Sequence, residues 1–479
     1  MKRRNILFVL LISGISCKAQ TLQEMINIAQ TKSLDAAYVF HKQKKAEWVY
    51  KYYKAEQLPV LTLTTTPFQY NSDVVERYSY DEDRTVYRAQ QYLYSSANLM
   101  MKQNVDFLGG YFYIESNLLH NKSLQNSIDQ YTSVPFRFGY NQNLLGYNPY
   151  KWTKRIEHIN YSISKKEQSA EKEQIAIETI TRFFQIISLS EQLKLAKTKY
   201  AACDSLYRVG VYKKSLGKIS ANDLYELKIE MIHAQIEIFE TEASVIAENK
   251  SLANYLQLED TTSFHFIVPT HVPEIEVPLD VAIEQALINS VSLNEYQKAK
   301  LLKKQTMAQM KAQKFGNASV SINVGWHQVS EKFQDVYNNL LNEQSIAINL
   351  TFPLADFGRK KAQLAQMRES VALDEINEQK TINSIIDEIQ KRISYMPIYY
   401  HKIGSANETM ILTSMMYDEA LKSYTLGRST FANVSNAIVR QKTALVDYYY
   451  AIRDYWINYY EIRRLTCFDF ENGGIAPRE

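Results

Sequence analysis

The chain repeats itself. Leu22-Gln-Glu-Met-Ile-Asn-Ile-Ala29 returns as Leu279-Asp-Val-Ala-Ile-Glu-Gln-Ala286, an offset of 257 residues. Further on, Leu144 corresponds to Leu354 and Gly217-Lys-Ile-Ser220 to Gly427-Arg-Ser-Thr430, both at an offset of 210. A constant offset held over so long a stretch predicts a tandem duplication, and any fold must accommodate two like units. The two offsets differ by 47, so the first copy carries an insertion of that length between its first helix and Leu144. We read 20–255 as the first repeat, 256–278 as a linker holding Pro269, Pro273 and Pro278, 279–466 as the second repeat and 467–479 as a C-terminal tail.

Within each copy the elements are long. With 14 Gly and 10 Pro in 479 residues, the chain has too few turn-formers for several small compact domains. Entry helices are predicted over 21–57 and 279–314. From about Pro149 to Leu216, and from about Ala355 to Leu426, no strand pattern occurs, and each stretch would make a helix of ~100 Å. Pro397 predicts a kink or break in the second. The return helices carry heptads. Leu224, Met231, Ile238, Val245 and Leu252 recur every seven residues, as do Val434, Gln441, Tyr448, Tyr455 and Ile462. Phe431, Ile438, Leu445, Ile452 and Tyr459 interleave with the latter. A period of ~3.5 residues predicts coiled-coil packing. The tyrosines in these seams, part of a total of 35, suit a boundary partly open to water.

Strands show a period of two. Val320, Ile322, Val324 and Trp326 alternate with Ser319, Ser321, Asn323 and Gly325. Ile346, Ile348, Leu350 and Phe352 alternate with Ala347, Asn349 and Thr351, and Val134, Phe136, Phe138 and Tyr140 with Arg137, Gly139 and Asn141. Bulky apolar residues backed by small or polar ones fit the wall of a membrane β-barrel, and equally one face of a soluble sandwich. The N-terminus favours the membrane. Lys2, Arg3 and Arg4 precede the apolar run Ile6–Ile15, and Cys17-Lys18-Ala19 offers a cleavage site, so residues 1–19 are expected to be a signal peptide. Lipidation at Cys17 is the alternative. No later apolar run reaches the ~18 residues that a spanning helix needs.

Other functions find little support. Net charge is +3, which gives no reason to invoke nucleic acid. Three cysteines exclude a disulfide scaffold. The histidines, including His265 and His271, form no zincin pair, and no nucleophile elbow or phosphate-binding glycine loop occurs. No catalytic residue, metal or cofactor is expected. Leu108-Gly109-Gly110-Tyr111 is read as a hairpin turn.

Taken together, the chain resembles the TolC-type outer-membrane efflux factor family, in its Bacteroidetes-like branch. The likeness rests on Gln57-Leu58-Pro59 before a strand and on the strand-to-helix junction Asn349-Leu-Thr-Phe-Pro353-Leu-Ala-Asp-Phe-Gly358-Arg-Lys. It rests also on the turn Tyr424-Thr-Leu-Gly427, on Leu145-Gly-Tyr-Asn148-Pro-Tyr-Lys-Trp152, and on the Leu99–Leu119 stretch, which resembles that branch's added hairpin. The resemblance implies a mainly α protein with membrane β: long coiled-coil hairpins plus about four transmembrane strands per protomer. In a homotrimer these would close a 12-stranded α/β barrel. It would be the outer-membrane channel of a tripartite efflux or type I secretion system, not an enzyme. Outer-membrane lipid, a periplasmic adaptor and an inner-membrane pump would be its partners. The lipid-facing residues would be Phe136, Phe138, Tyr140, Val320, Ile322, Val324, Trp326, Ile346, Ile348, Leu350 and Phe352.

The periplasmic gate is expected at the helical tips: Tyr424, Gly427, Arg428, Asn433 and Asn436, with Gly217, Lys218 and Asp223 of the first repeat. The same residues also read as ordinary caps, with glycine closing one helix and Ser220 or Thr430 opening the next. Asn433 and Asn436 stand where the family places acidic residues, and Asn143 where it has a junction proline. A periplasmic coiled-coil adaptor without a pore is the alternative function, although it would show a single helical hairpin.

Overall fold

A computed structural model of the chain describes residues 20–475 apart from 126, 145–146, 259–263, 265, 270–271, 315 and 472. The expected signal peptide with Cys17, Leu145 and Gly146 of the junction motif, His265, His271 and the last four residues lie outside the described residues.

The duplication is visible element by element. Each copy opens with an 11-residue helix, α1 (Leu22–Lys32) and α5 (Leu279–Asn289). Each helix ends at a serine, Ser33 in extended backbone and Ser290 at φ −57° and ψ 120°. The chain then re-enters helix as α2 (Leu34–Glu56) and α6 (Val291–Lys314). The single entry helices expected from the sequence are thus two each. The Ser33 hydroxyl accepts the Ala36 N–H at 3.0 Å, so the side chain caps the second helix in place of a continuous ladder.

The long helices match in length and register. Helices α3 (Pro149–Ser215) and α7 (Arg359–Thr425) have 67 residues each. Their returns are α4 (Ala221–Tyr255) and α8 (Phe431–Thr466). Of the kink or break expected at Pro397, the break does not occur, and α7 runs through it. A proline removes one ladder donor, but Met396 is buried and Ile393 and Tyr400 pack on the same core, so burial holds that turn helical.

Six antiparallel strands form one sheet in chain order: β1 (Val60–Ser79), β2 (Arg84–Val105), β3 (Gly110–Ser123), β4 (Asp129–Asn143), β5 (Asn317–Ser330) and β6 (Leu341–Thr351). The expected four become six. At the repeat offsets β5 corresponds to β1 and β6 to β4, so β2 and β3 are the insertion. They turn at Gly109, whose φ of 78° suits glycine. The β2 pattern hid in the sequence because the face that carries Leu93, Leu99 and Met101 also carries Thr85, Ala89, Gln91, Ser95 and Ala97. Two prolines also went unread. The register shifts between Thr66 and Gln69 and between Ser133 and Phe136, at Pro67 and Pro135, because proline cannot donate to the ladder and is tolerated at bulges. The second bulge takes Val134 out of the Phe136 series: it pairs with Asn117 and is buried.

The described chain divides into two compact units. One holds the sheet with residues 44–164 and 292–380. Its helices are tied by Tyr50 stacked on Tyr161 at 4.7 Å and by Lys303 paired with Asp374 at 2.5 Å. The other unit comprises the residues up to Gln43, 165–291 and those from Thr381 on. Its core gathers Met25 and Ile26 of α1, Ile180, Phe183 and Phe184 of α3, Leu252 of α4 and Ile452, Tyr455, Tyr459 and Ile462 of α8. Tyr455 and Tyr459 correct the expectation of a wet seam, since both are fully buried. Their hydroxyls are satisfied within the protein. Tyr455 donates to the Pro273 carbonyl at 2.6 Å and accepts the Ile275 N–H at 3.1 Å, strapping the linker down. Tyr459 donates to Asp469 Oδ1 at 2.9 Å.

That last bond belongs to a buried ionic cluster. Arg463 of α8 contacts Glu173 of α3 at 2.9 Å and, at 3.3 Å, Asp469 of the small C-terminal hairpin β7 (Phe468–Asp469) and β8 (Gly474–Ile475). Burial pushes the Glu173 carboxyl above its ordinary range, against the pull of Arg463. Arg463→Met strands two buried carboxylates. We expect a loss of about 3–5 kcal/mol, measured by thermal or denaturant unfolding of the detergent-purified protein, with early proteolytic loss of the C-terminal hairpin.

Candidate functional site

Register assigns every strand side chain to one of two faces, because directly opposed residues of antiparallel strands point the same way. One row crosses all six strands: Leu61, Met101, Ile114, Phe138, Val324 and Gln344. The neighbouring row runs Phe112, Tyr140, Ile322 and Ile346, and Phe136 lies opposite Trp326. Val320 opposes Ile348 and Ala318 opposes Leu350. The expected apolar residues therefore share one face. Phe138 is 41% exposed, Ile346 73%, Ile348 62% and Leu350 58%. Ile322, Val324, Trp326 and Phe136 are also exposed, while Val320 and Tyr140 are half-buried. Phe352, exposed too, lies one residue beyond β6. An apolar surface this continuous calls for an apolar environment.

The opposite face is polar and self-connected. Tyr113 of β3 lies flat across Gly139 of β4 and donates to Asn323 Oδ1 of β5 at 2.5 Å. Asn323 in turn donates to Ser345 of β6 at 3.3 Å. The crossing requires the missing side chain, since a Cβ on Gly139 would sit 2.1 Å from the Tyr113 ring.

At the helical tips the two copies close alike. Gly217 and Gly427, at φ 66° and 73°, each follow a 67-residue helix. The Gly217 N–H donates to the Lys214 carbonyl and the Lys218 N–H to Lys213, and Gly427 and Arg428 do the same to Tyr424 and Ser423. This double bond pattern is a Schellman cap. Ser220 and Asp223 form a reciprocal capping box at 3.1 and 2.9 Å. Thr430 sits at the N-cap of α8 but makes no side-chain cap. The capping reading thus holds at both glycines and at Ser220. Tyr424 packs edge-on against Phe431 at 5.7 Å. Burial, with the nearby Asp223 and Glu226 carboxylates, pushes its hydroxyl above the ordinary range, which brings Tyr424 close to the first-repeat tip. Lys213 reaches the Thr425 carbonyl at 3.5 Å. Arg428, Asn433, Asn436 and Lys218 are exposed.

Further along the hairpins lies a set that the sequence reading missed. Lys199 of α3 pairs with Glu230 and Glu237 of α4 at 3.1 and 3.2 Å, and Glu237 also binds Lys442 of α8 at 2.5 Å. Burial would lower the Lys199 pKa, but the two glutamates hold it above its usual value. The heptad spacing of Glu230 and Glu237 was the available signal. A second missed pattern is the stripe Tyr225, Ile229, Ile232, Ile236, Phe239 and Ile246, at coiled-coil spacing on α4 and exposed throughout.

No family model matches the sequence, and no curated protein matches it. Solved structures do. The CmeC outer membrane channel of Campylobacter jejuni superposes with a TM-score of 0.67 at 13% identity, covering 96% of this chain and 87% of that one. The outer membrane protein VceC of Vibrio cholerae gives 0.63 at 12% identity, over 95% and 96%. The MtrE outer membrane channel of Neisseria gonorrhoeae, in its open state, gives 0.60 at 12%, over 96% and 90%.

This chain has the TolC-type fold.

In the TolC-type frame the tandem copies, the paired tips and the two-faced sheet are parts of one architecture. Two local features are open to direct test. Gly139→Ala should displace Tyr113, break its bond to Asn323 and cost about 1–3 kcal/mol, read as a lowered unfolding temperature. The Asp223 carboxylate, accepting the Ser220 N–H, is held below its ordinary range. A depressed folded pKa means that the cap's contribution is present above the unfolded value and is lost as pH falls through the folded one. Protection factors of the first-turn amides of α4, corrected for intrinsic exchange, should therefore fall on acidification in that window, and Asp223→Asn should flatten the response.

Proposed function

We propose that the protein is the outer-membrane channel component of a tripartite efflux or type I secretion system. It would be a passive duct from periplasm to exterior, formed by three copies and driven by an inner-membrane pump through a periplasmic adaptor. The observation that carries this reading is the sheet with an apolar face, a polar face and two free edges, β1 and β6. Among the described residues no helix is long and apolar enough to cross a membrane. If the apolar face meets lipid, the free edges must pair, because unpaired backbone groups are not tolerated in hydrocarbon. Joining β6 of one copy to β1 of the next closes the wall. Six strands per copy would give eighteen in a trimer rather than twelve, a number at which barrels leave an aqueous passage. The exposed apolar stripe of α4 supports the same assembly as a seam for a neighbouring copy.

In this reading the tips form the periplasmic end. Tyr424, Gly427, Arg428, Asn433 and Asn436, with Gly217, Lys218 and Asp223, would hold it closed, and opening would rearrange their contacts on adaptor docking. With asparagines at 433 and 436, multivalent cations should block the pore weakly from that side.

Heat-resistant trimers recovered from outer membranes support the duct, whereas a soluble monomer after signal removal eliminates it. Single-channel recording of Tyr424→Ala and Arg428→Ala tests the gate. We expect raised closed-state conductance; values equal to wild type remove these residues from it.

A further inference from the structure

The polar face of the sheet carries a second crossing, and this one is charged. Glu115 of β3, Arg137 of β4, Gly325 of β5 and Glu343 of β6 stand opposite one another in a single row. The Arg137 guanidinium donates to Glu115 Oε1 at 2.6 Å on one side. On the other it spans β5 entirely, reaching Glu343 Oε1 at 2.8 Å and Oε2 at 2.6 Å. Only a glycine permits that span. A Cβ on Gly325 would lie 2.7 Å from the Phe136 carbonyl oxygen and 2.9 Å from Arg137 Cα. The side chains are 22% exposed for Arg137, 11% for Glu115 and 30% for Glu343, so the row is shielded but reachable by water.

Its neighbours on this face are few in charge. Lys102 stands opposite Tyr113, one rung away, with its ammonium 3.9 Å above the Tyr111 ring. His327 Nδ1 is 3.9 Å from Glu343 Oε2. The flanking positions along the same strands, Phe138, Val324 and Trp326, belong to the apolar face. The row itself thus lies on the side that the duct reading turns toward water, and within it two carboxylates outnumber one guanidinium.

We propose that Glu115, Arg137 and Glu343 are selectivity-determining residues of the strand-lined part of the duct and favour permeating cations. The inference rests on the duct reading given above. Fixed charge on a low-dielectric wall focuses its field into the water it encloses, so the row's surplus carboxylate, partly offset by Lys102 one rung away, raises local cation concentration more than it would on an open surface. Arg137 does two things at once. It neutralises part of that charge, and it pins both carboxylates to the wall, so that they shape the passage without closing it.

The test is the reversal potential of the reconstituted full-length protein in a planar bilayer under a potassium chloride gradient, at a pH well above the ordinary histidine range. Potassium preference over chloride should fall in Glu343→Gln and fall further, toward chloride, in the Glu115→Gln, Glu343→Gln double variant. It should rise in Arg137→Gln. Glu343→Gln is the decisive variant because it keeps the Arg137–Glu115 pair and the shape of the row. If its unitary conductance matches wild type and the reversal potential is also unchanged, the three residues only brace the sheet and the proposal is overturned. A wild-type protein that inserts but passes no ions instead overturns the duct reading itself, so the two failures are told apart.

Discussion

Backbone hydrogen bonding at the two sheet edges governs the rest of this structure. A sheet of six strands satisfies its inner backbone groups but leaves β1 and β6 each with one row of unpaired donors and acceptors. In water such edges invite aggregation; in lipid they are untenable. The apolar face makes water an equally poor surrounding. In the proposed duct, edges and face together are met by pairing with further copies of the chain. The amphipathic stripe left uncovered on α4 makes the same demand in the helical unit, by coiled-coil packing rather than by strand pairing.

Duplication explains why such a large object needs so few kinds of part. The helix ends at Ser33 and Ser290, the glycines at 217 and 427 and the starts of α4 and α8 all recur at the repeat offsets. The backbone solutions are shared even where side chains are not. Ser220 caps its helix with its hydroxyl and Thr430 does not, yet the Schellman pattern before each is the same. Divergence has fallen on charge and packing. Glu237 gathers two lysines from different helices, and the second copy buries Tyr455 and Tyr459 where the first has Val245 and Asn249.

Much of this was legible in the sequence because it depends on spacing. The offsets, the heptads, the period-two strands around Val324 and Ile348 and the turn at Gly109 all survive translation into structure. What stayed hidden depends on context. The β2 strand mixes Gln91, Ser95 and Ala97 with Leu93, Leu99 and Met101 on one face, so its alternation does not announce itself. Pro67 and Pro135 are absorbed as bulges, which the alternation alone does not announce. Tyr455 and Tyr459 look amphipathic, yet the Pro273 carbonyl, 182 residues away, and the C-terminal Asp469 satisfy them in a dry core. The crossing of Arg137 over Gly325 could not be read at all, since its partner Glu343 lies two strands away and 206 residues on.

The placement of the inserted hairpin has a further consequence. β2 and β3 enter between β1 and β4, inside the sheet and away from both margins. At ~4.8 Å per strand they broaden it by about 10 Å. Because two strands are added, the alternation of direction is preserved and β4 meets β5 as it would without them. The outer strands, through which one sheet would join the next, are untouched. The fold thereby offers a way to vary the girth of a wall in steps of one hairpin while its joints stay constant. Gains or losses at that interior site can be accepted without re-evolving how the copies meet.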